Sequence, residues 1–176
     1  RATWDLDGGG ALMNQGIHGV DLICWLMGGV SSVYAYCETK VRKIKVEDTA
    51  ITLIRYKNGA FGVIEGTTSI YQNLPTKFEI SGDKGTIMLQ EHKFTKWEID
   101  GNPEKQNISL TTSDDVLSLD EVLYKGYMIQ IKDMIDAIKN NKEPMINGEE
   151  GRKPVGIILA IYESSKTKKE IKLQGG

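Results

Sequence analysis

Residues 49–67 read TAITLIRYKNGAFGVIEGT. Apolar and polar residues alternate with period two on both sides of Lys57-Asn58-Gly59, which is the pattern of two half-buried strands. Asn-Gly favours the positive φ angles of a tight two-residue hairpin turn. The stretch therefore predicts two antiparallel strands, Thr49–Tyr56 and Ala60–Ile70.

The same alternation extends from Val30 to about Leu110. Further strands are predicted at Ser32–Lys40, Lys77–Ser81, Thr86–Gln90, Phe94–Ile99 and Gln106–Thr111. A second hairpin turn is predicted at residues 82–85, which read GDKG. Consecutive strands joined by tight turns make an antiparallel sheet.

One face of this sheet is less polar than a solvated face should be. Tyr34 and Tyr36 on one strand, and Ile51 and Leu53 on the next, lie opposite the residues expected in the core. Two interpretations remain open: a partner subunit covers this face, or the alternation is imperfect on a face that meets water.

Helices flank the strands on both sides. An opening helix is predicted from apolar residues at helical spacing, ending at Gly28-Gly29; they are Leu12, Ile17, Val20, Ile23, Cys24 and Met27. Two closing helices are predicted at Leu123–Lys139 and Glu149–Lys166, and Pro154 favours a start of the last one nearer Gly151. The fold class is therefore α+β, a large open and predominantly antiparallel sheet with helices packed on one face.

Composition excludes several classes of protein. The 176 residues predict one domain over positions 1–176, and a net charge of −2 argues against nucleic-acid binding. The apolar segments are too short to cross a membrane. Cys24 and Cys37 are the only cysteines, which suits two reduced thiols in a cytosolic protein. The chain begins at Arg1 rather than Met and has no signal segment, so we expect a piece of a longer polypeptide or a processed product, with a cytoplasmic location.

Residues 8–21, GGGALMNQGIHGVD, carry the candidate chemistry. Helical spacing places Asn14, His18 and Asp21 on one face. Gly16 and Gly19 flank His18, and each costs about 1 kcal/mol relative to alanine inside a helix. We therefore expect a ligand, or another backbone, to approach closely beside the imidazole. An imidazole can take the proton of a hydroxyl that is being oxidised.

Each remaining feature has two interpretations. The glycines at 8–10 are either a flexible start to the helix or a wall where a substrate meets free backbone N–H groups. They do not follow a strand and lack the spacing of a dinucleotide-binding loop. Asp21 either orients the imidazole or anchors the helix to the sheet, and we favour the anchor.

The aromatic and histidine residues outside the opening helix are the remaining candidates. Trp4 and Tyr71, at predicted loop positions, either stack on a sugar ring or cap the sheet ends. His92 is interpreted as a surface histidine. No metal site is predicted, because two histidines stand far apart without clustered carboxylates.

Three segments together resemble a known family. They are GGGALMNQGIHGVDLICWLMG at 8–28, ISGDKGTIML at 80–89 and NGEEGRKPVGIILAIYESSKTKKEIKL at 147–173. They resemble the second domain of Gfo/Idh/MocA oxidoreductases over nearly the whole chain. The resemblance implies a C-terminal substrate-binding and dimerisation domain with a fold like the C-terminal domain of glyceraldehyde-3-phosphate dehydrogenase.

The resemblance also implies a function. The N-terminal Rossmann half, absent from this chain, would bind NAD or NADP, and the whole enzyme would act on a hydroxyl of a sugar, sugar nucleotide or polyol. A lysine of that half would work with a histidine that corresponds to His18. Asn14 stands where the family often has aspartate; it joins His18 as the candidate catalytic pair but cannot act as a base.

Partners and alternatives follow from the same resemblance. Arg1, Trp4 and Tyr71, with Asn14, are the expected substrate contacts, and a homo-oligomer (dimer or tetramer) is expected through the sheet face. This chain alone is expected to be inactive. The alternatives are a non-catalytic sugar-binding or regulatory member of the family, and a module whose role is association through the sheet.

Overall fold

The computed structural model describes residues 2–71, 74–90, 93–101 and 119–173. In chain order the elements are α1 Trp4–Asp7, a π-helical segment Leu12–Gly16, α2 Ile17–Met27, β1 Val30–Glu38, β2 Thr49–Tyr56, β3 Phe61–Thr67, β4 Lys77–Gly82, β5 Gly85–Gln90, β6 Lys93–Ile99, α3 Leu119–Lys139, α4 Gly148–Thr167 and β7 Ile171–Lys172. They divide into two compact units: the first holds α1 to β3 with α4 and β7, and the second holds β4 to α3.

The first unit is built on a four-stranded antiparallel sheet in the order β3-β2-β1-β7. The register pairs Tyr34 of β1 with Leu53 of β2, and Leu53 with Val63 of β3. Inward positions of β2 are buried and outward positions are exposed, because successive side chains of a strand point to opposite faces. The alternation predicted for Thr49–Tyr56 is therefore confirmed residue by residue.

The β2–β3 turn differs from the prediction. Its loop has three residues: the Tyr56 N–H donates to the Ala60 carbonyl at 2.8 Å, and the Gly59 N–H to the Tyr56 carbonyl at 3.1 Å. Gly59 has φ +90°, whereas Asn58 has no positive φ. This is the geometry of a turn closed by one left-handed glycine. The Asn58 side chain instead donates to the Met27 carbonyl at 2.9 Å, at the end of α2.

Helix α4 covers the inner face of this sheet. Ile157, Ile158 and Ile161 join Val33 and Ile54 in one buried core. Two serines of α4 also bond to β1: Ser164 Oγ accepts the Ala35 N–H at 3.0 Å, and Ser165 Oγ accepts the Cys37 N–H at 2.7 Å. Strand β7 pairs with β1 only at Ser32 and Val33. The serines therefore supply acceptors for β1 donors beyond the end of β7.

The second unit contains the antiparallel sheet β4-β5-β6 and helix α3. The turn after β4 joins Gly82 and Gly85, which pair across it. Helix α3 carries four apolar residues at helical spacing, and all of them are exposed; they are Ile131, Met134, Ile135 and Ile138. Of the described helices, none is long and apolar enough to cross a membrane.

The α+β class and the antiparallel pairing are confirmed. The described strands form sheets of four and three rather than one large sheet. Helix α4 begins at Gly148 and includes Pro154, so the expected start nearer Gly151 is wrong. The predicted strand Gln106–Thr111 lies outside the described residues, and the single domain over residues 1–176 stays a prediction.

Candidate functional site

The helix that carries the candidate residues does not begin as an α-helix. Residues Leu12–Gly16 form a π-helical turn, and the α-helical part starts at Ile17. Asn14 lies in the π-helical turn and His18 in the first turn of α2. Four residues are slightly more than an α-helical turn and less than a π-helical one, so both side chains emerge on the same side. Single π-helical turns are frequent at functional sites.

Asn14 and His18 are both exposed on this helix, whereas Leu12 and Val20 are buried in the core. Within the described residues the His18 imidazole has no hydrogen-bond or ion-pair partner. The Asn14 carbonyl oxygen accepts a long hydrogen bond, 3.5 Å, from the Gln15 amide. The pair therefore stands on an accessible surface with its polar atoms available to a ligand.

A buried carboxylate holds the start of this helix. The Gly10 N–H donates to Glu47 Oε2 at 2.7 Å, and the Leu12 N–H donates to Oε1 at 2.9 Å. The Tyr162 hydroxyl also donates to Oε1, at 2.9 Å, and the Ala11 N–H donates to the Glu47 backbone carbonyl at 3.0 Å. We call these residues, Gly10, Ala11, Leu12, Glu47 and Tyr162, the Glu47 cluster.

The Glu47 cluster corrects the interpretation of the glycine run as a wall for a ligand. The N–H groups of Gly10 and Leu12 already have an acceptor. A Cβ at Gly9 would overlap the Tyr162 hydroxyl, and one at Gly10 would overlap the Glu47 carbonyl. The glycines are therefore required for close packing inside the protein. Because the preceding element is helix α1 and its neighbouring donors are occupied, the run does not fit a loop that binds dinucleotide phosphates.

The π-helical turn leaves little room for a side chain at Gly16. A Cβ there would lie 3.2 Å from Leu12 Cδ2 and 3.3 Å from the Ala11 carbonyl oxygen. Such contacts are tighter than ordinary van der Waals distances. A close backbone approach of the kind expected beside His18 is thus found at Gly16, and it comes from the helix itself.

Trp4 is part of helix α1 rather than of a loop, so that prediction is wrong. Its ring meets the Tyr162 ring edge to face, with centroids 5.1 Å apart, and it is 48% exposed. Burial, together with the charge and hydrogen bond of Glu47, raises the pKa of the Tyr162 phenol far above its usual range, so the hydroxyl remains a donor. Trp4 therefore joins the candidate site through Tyr162 and the Glu47 cluster.

The structure does not join Tyr71 or Asp21 to this site. Tyr71 is 91% exposed, with no ring contact or hydrogen bond to another described residue. Asp21 is exposed and, among the described residues, makes no bond to His18 or to the sheet. The favoured role of Asp21 as an anchor is therefore wrong. Arg1 and His92 lie outside the described residues.

A second buried acid, Asp48, follows Glu47 directly. Its carboxylate accepts the backbone N–H groups of Lys40, Val41 and Arg42, each at 2.8 Å. Burial by itself raises the pKa of this carboxyl, but the backbone donors outweigh burial and hold the pKa well below the usual aspartate range. Asp48 thus closes the loop between β1 and β2.

Sequence reasoning missed Glu47, Asp48 and the polar role of Tyr162. The available signal was a pair of adjacent acids directly before a strongly predicted strand, after the mostly basic stretch KVRKIK. Two adjacent acidic side chains directly before a half-buried strand are difficult to keep in contact with water together, which is a sign that they need hydrogen-bond donors inside the protein. Tyr162 lies at helical spacing with the apolar residues of the last helix, and that spacing gives no sign of a partner for its hydroxyl.

Other possible chemistry is limited. Cys24 and Cys37 are free thiols, and burial raises the pKa of each to about 11, which favours the unreactive protonated form. No cluster of potential metal ligands occurs among the residues that the structure describes. A shallow concavity of about 460 Å³ lies in the second unit, at the β4–β5 turn beside Trp97, and contains none of the candidate residues.

The sequence profile described as the oxidoreductase family, C-terminal alpha/beta domain (GFO_IDH_MocA_C), matches residues 1–173. The chain belongs to the Gfo/Idh/MocA oxidoreductase family. The family resemblance of its opening and closing segments is thereby confirmed. The match covers both described units and the helix that carries Asn14 and His18.

Relatives of known activity match as well. The chain is 25% identical over 171 residues to the myo-inositol 2-dehydrogenase of Thermotoga maritima, covering 94% of this chain and 50% of that protein. It is 26% identical over 161 residues to the D-apiose dehydrogenase of Rhizobium rhizogenes, covering 85% and 45% respectively. The chain therefore spans about half the length of these curated relatives.

A solved structure of a dehydrogenase has the same fold as this chain. The WlbA dehydrogenase from Bordetella pertussis, determined in complex with NADH and UDP-GlcNAcA, superposes with a TM-score of 0.81 at 32% identity. The match covers all of this chain and 48% of that one. The fold of this chain is thus that of the C-terminal domain of a Gfo/Idh/MocA oxidoreductase.

Proposed function

We propose that this chain is the substrate-binding half of an NAD(P)-dependent dehydrogenase that acts on a hydroxyl of a sugar, sugar nucleotide or polyol. The observation that carries the proposal is the exposed pair formed by Asn14 on the π-helical turn and His18 in the first turn of α2, in a chain of this family. The named activities of the relatives, on myo-inositol and D-apiose, support the substrate class.

The described residues of this chain have specific parts in that reaction. The His18 imidazole, unbonded within the described structure, takes the hydroxyl proton of the substrate. The Asn14 amide holds a substrate hydroxyl, because an amide both donates and accepts hydrogen bonds but cannot act as a base. Trp4, whose ring is half-exposed, remains a proposed substrate contact, as do Arg1 and Tyr71.

The cofactor belongs to another part of the polypeptide in this proposal. NAD or NADP would supply the hydride acceptor, bound by a Rossmann half outside the 176 residues, whose lysine would assist His18. The glycine run of this chain is occupied by Glu47 and Tyr162 and does not hold phosphates. We expect this chain alone to be inactive, and the cytoplasmic location stays a prediction.

The proposal also includes self-association: the chain forms a homo-oligomer through the outer face of the four-stranded sheet. Six apolar or aromatic side chains face outward there; they are Tyr34, Tyr36, Ile51, Leu53, Phe61 and Val63. The last four are 48% to 80% exposed. A contiguous apolar patch of this kind favours covering by a second copy.

The complete polypeptide should be assayed with NAD⁺ and with NADP⁺ against the compounds named for the relatives, which are myo-inositol, D-apiose and UDP-GlcNAcA. We expect cofactor reduction with at least one of these compounds or a close stereoisomer. A non-catalytic sugar-binding member would instead bind a compound in a thermal-shift or calorimetric titration without reducing either cofactor. That outcome would replace the enzyme proposal with the alternative.

A further inference from the structure

Glu47 stands in an unusual relation to the candidate site. It is 3% exposed, lies two residues before the first residue of β2, and is separated by 37 positions from Gly10, whose N–H it accepts. Both carboxylate oxygens are used, since Oε2 accepts from Gly10 and Oε1 accepts from Leu12 and Tyr162. Its backbone carbonyl accepts the N–H of the residue between them, Ala11.

These bonds fix the position where the helix begins. The first N–H groups of a helix have no partner within the helix, and a carboxylate near that end is favourable. Glu47 supplies acceptors to three consecutive residues, from Gly10 to Leu12, immediately before and at the first residue of the π-helical segment. The direction in which the turn leaves the cluster therefore depends on Glu47.

Asn14 lies two residues beyond the last of these bonds, and His18 lies one turn further. The side chain of Leu12, the last of these three consecutive residues, is itself fixed, because it packs against Gly66 of β3, where a Cβ would come within 2.7 Å of it. Glu47 therefore fixes the backbone of residues 10–12, and the lack of a side chain at Gly66 leaves room for the Leu12 side chain. Small movements at the Glu47 cluster would rotate Asn14 and His18 together.

We propose that Glu47 is a positioning residue for the Asn14–His18 pair, acting through the backbone of residues 10–12. The inference deepens the proposed function and rests on it only for the role given to the pair. Glu47 makes no contact with a substrate in this proposal. It determines the helical register from which both side chains project.

Asp48 provides a matched control. It is the neighbouring residue, its carboxylate is buried, and it also accepts backbone N–H groups, but those belong to residues 40–42 rather than to the helix. Glu47→Gln and Asp48→Asn therefore remove the same charge one residue apart. Both variants should lower the stability of the fold, and only the first should disturb the site.

The experiment is an NMR comparison of the isotope-labelled protein and these two variants. In Glu47→Gln we expect amide exchange at Gly10 and Leu12 to accelerate about tenfold or more. The side-chain resonances of Asn14 and His18 should move with it. In Asp48→Asn the acceleration should fall on residues 40–42, with the Asn14 and His18 resonances unchanged.

A milder variant keeps the test open if Glu47→Gln does not fold. Tyr162→Phe removes one donor to Oε1 and leaves both backbone bonds, so the resonances should move in the same direction by a smaller amount. The proposal is overturned if Asn14 and His18 keep their wild-type resonances in a folded Glu47→Gln or Tyr162→Phe variant. It is equally overturned if Asp48→Asn moves them as far. None of these results depends on turnover, so they are distinguishable from a failure of the proposed function.

Discussion

Two adjacent acidic residues, Glu47 and Asp48, stabilise different segments of the first unit. Glu47 bonds to the start of the helix that carries Asn14 and His18, and Asp48 bonds to the loop that precedes both acids. Each carboxylate is buried, and among the described residues each is compensated by backbone N–H groups and one hydroxyl rather than by a cation. Buried carboxylates are tolerated only with such partners.

Asp48 should make stability depend on acid pH. Because its pKa is lowered in the folded state, its contribution is fully present above the ordinary aspartate pKa of about 4 and is lost as the pH falls below that value. Asp48→Asn should therefore lower the urea midpoint at neutral pH and flatten its decline between about pH 5 and pH 3. Equal acid sensitivity in the variant and the wild type would show that Asp48 does not contribute in this way.

The sequence located the candidate pair but not its support. His18 and Asn14 were predicted from their spacing on one helix, and the structure exposes both. The acceptor for the glycine run lies 37 residues away, at Glu47. Periodicity reports only which face of an element is apolar, so a contact between two distant polar groups leaves no periodic signal.

At the scale of elements, the strands were predicted closely because one face of each is buried. Strand β2 has the predicted bounds, and β1, β4, β5 and β6 differ from theirs by one or two residues. The departures occur where tertiary contacts decide the backbone. The π-helical turn follows the bonds of the Glu47 cluster, and the Asn58 side chain bonds to α2 instead of adopting a positive φ.

The contact between α4 and β1 gives a prediction of its own. Ser164 Oγ accepts the buried Ala35 N–H and donates to the Lys169 carbonyl at 2.7 Å. Ser164→Ala leaves that N–H without an acceptor, so we expect a loss of about 1–3 kcal/mol of unfolding free energy in urea titration.

Thr167→Ala on the same helix is the matched control. Its hydroxyl donates to the Glu163 carbonyl at 2.8 Å, but at an exposed position where water can replace it. We expect a change within about 0.5 kcal/mol. If the two alanine variants lose the same stability, the serine bond to β1 is not what holds the helix on the sheet.

At the scale of the whole molecule, the main question is the outer face of the four-stranded sheet. No described element of the first unit covers its exposed apolar side chains. Tyr34, Leu53 and Val63 stand in one row across three strands. The sequence predicted this apolar face from Tyr34, Tyr36, Ile51 and Leu53, and the structure adds Phe61 and Val63. Sequence alone left both a covered face and a solvated face open.

Leu53→Glu should weaken self-association about tenfold or more, because it places a charge at the centre of the row. Sedimentation velocity over a concentration series measures the effect. Val41→Glu is the control, since Val41 is 70% exposed but lies in the loop after β1 rather than on the sheet. A wild-type protein that is monomeric at all concentrations, or two variants with equal effects, would contradict the proposed interface.

The central claim is that His18 takes the substrate proton, and the turnover of a His18→Ala variant of the complete polypeptide tests it most directly. His92→Ala, which changes the other histidine of this chain, is the control. We expect His18→Ala to lower kcat about 10²- to 10⁴-fold with an unchanged circular dichroism spectrum, and His92→Ala to leave kcat unchanged. Wild-type turnover in a folded His18→Ala variant would contradict the account.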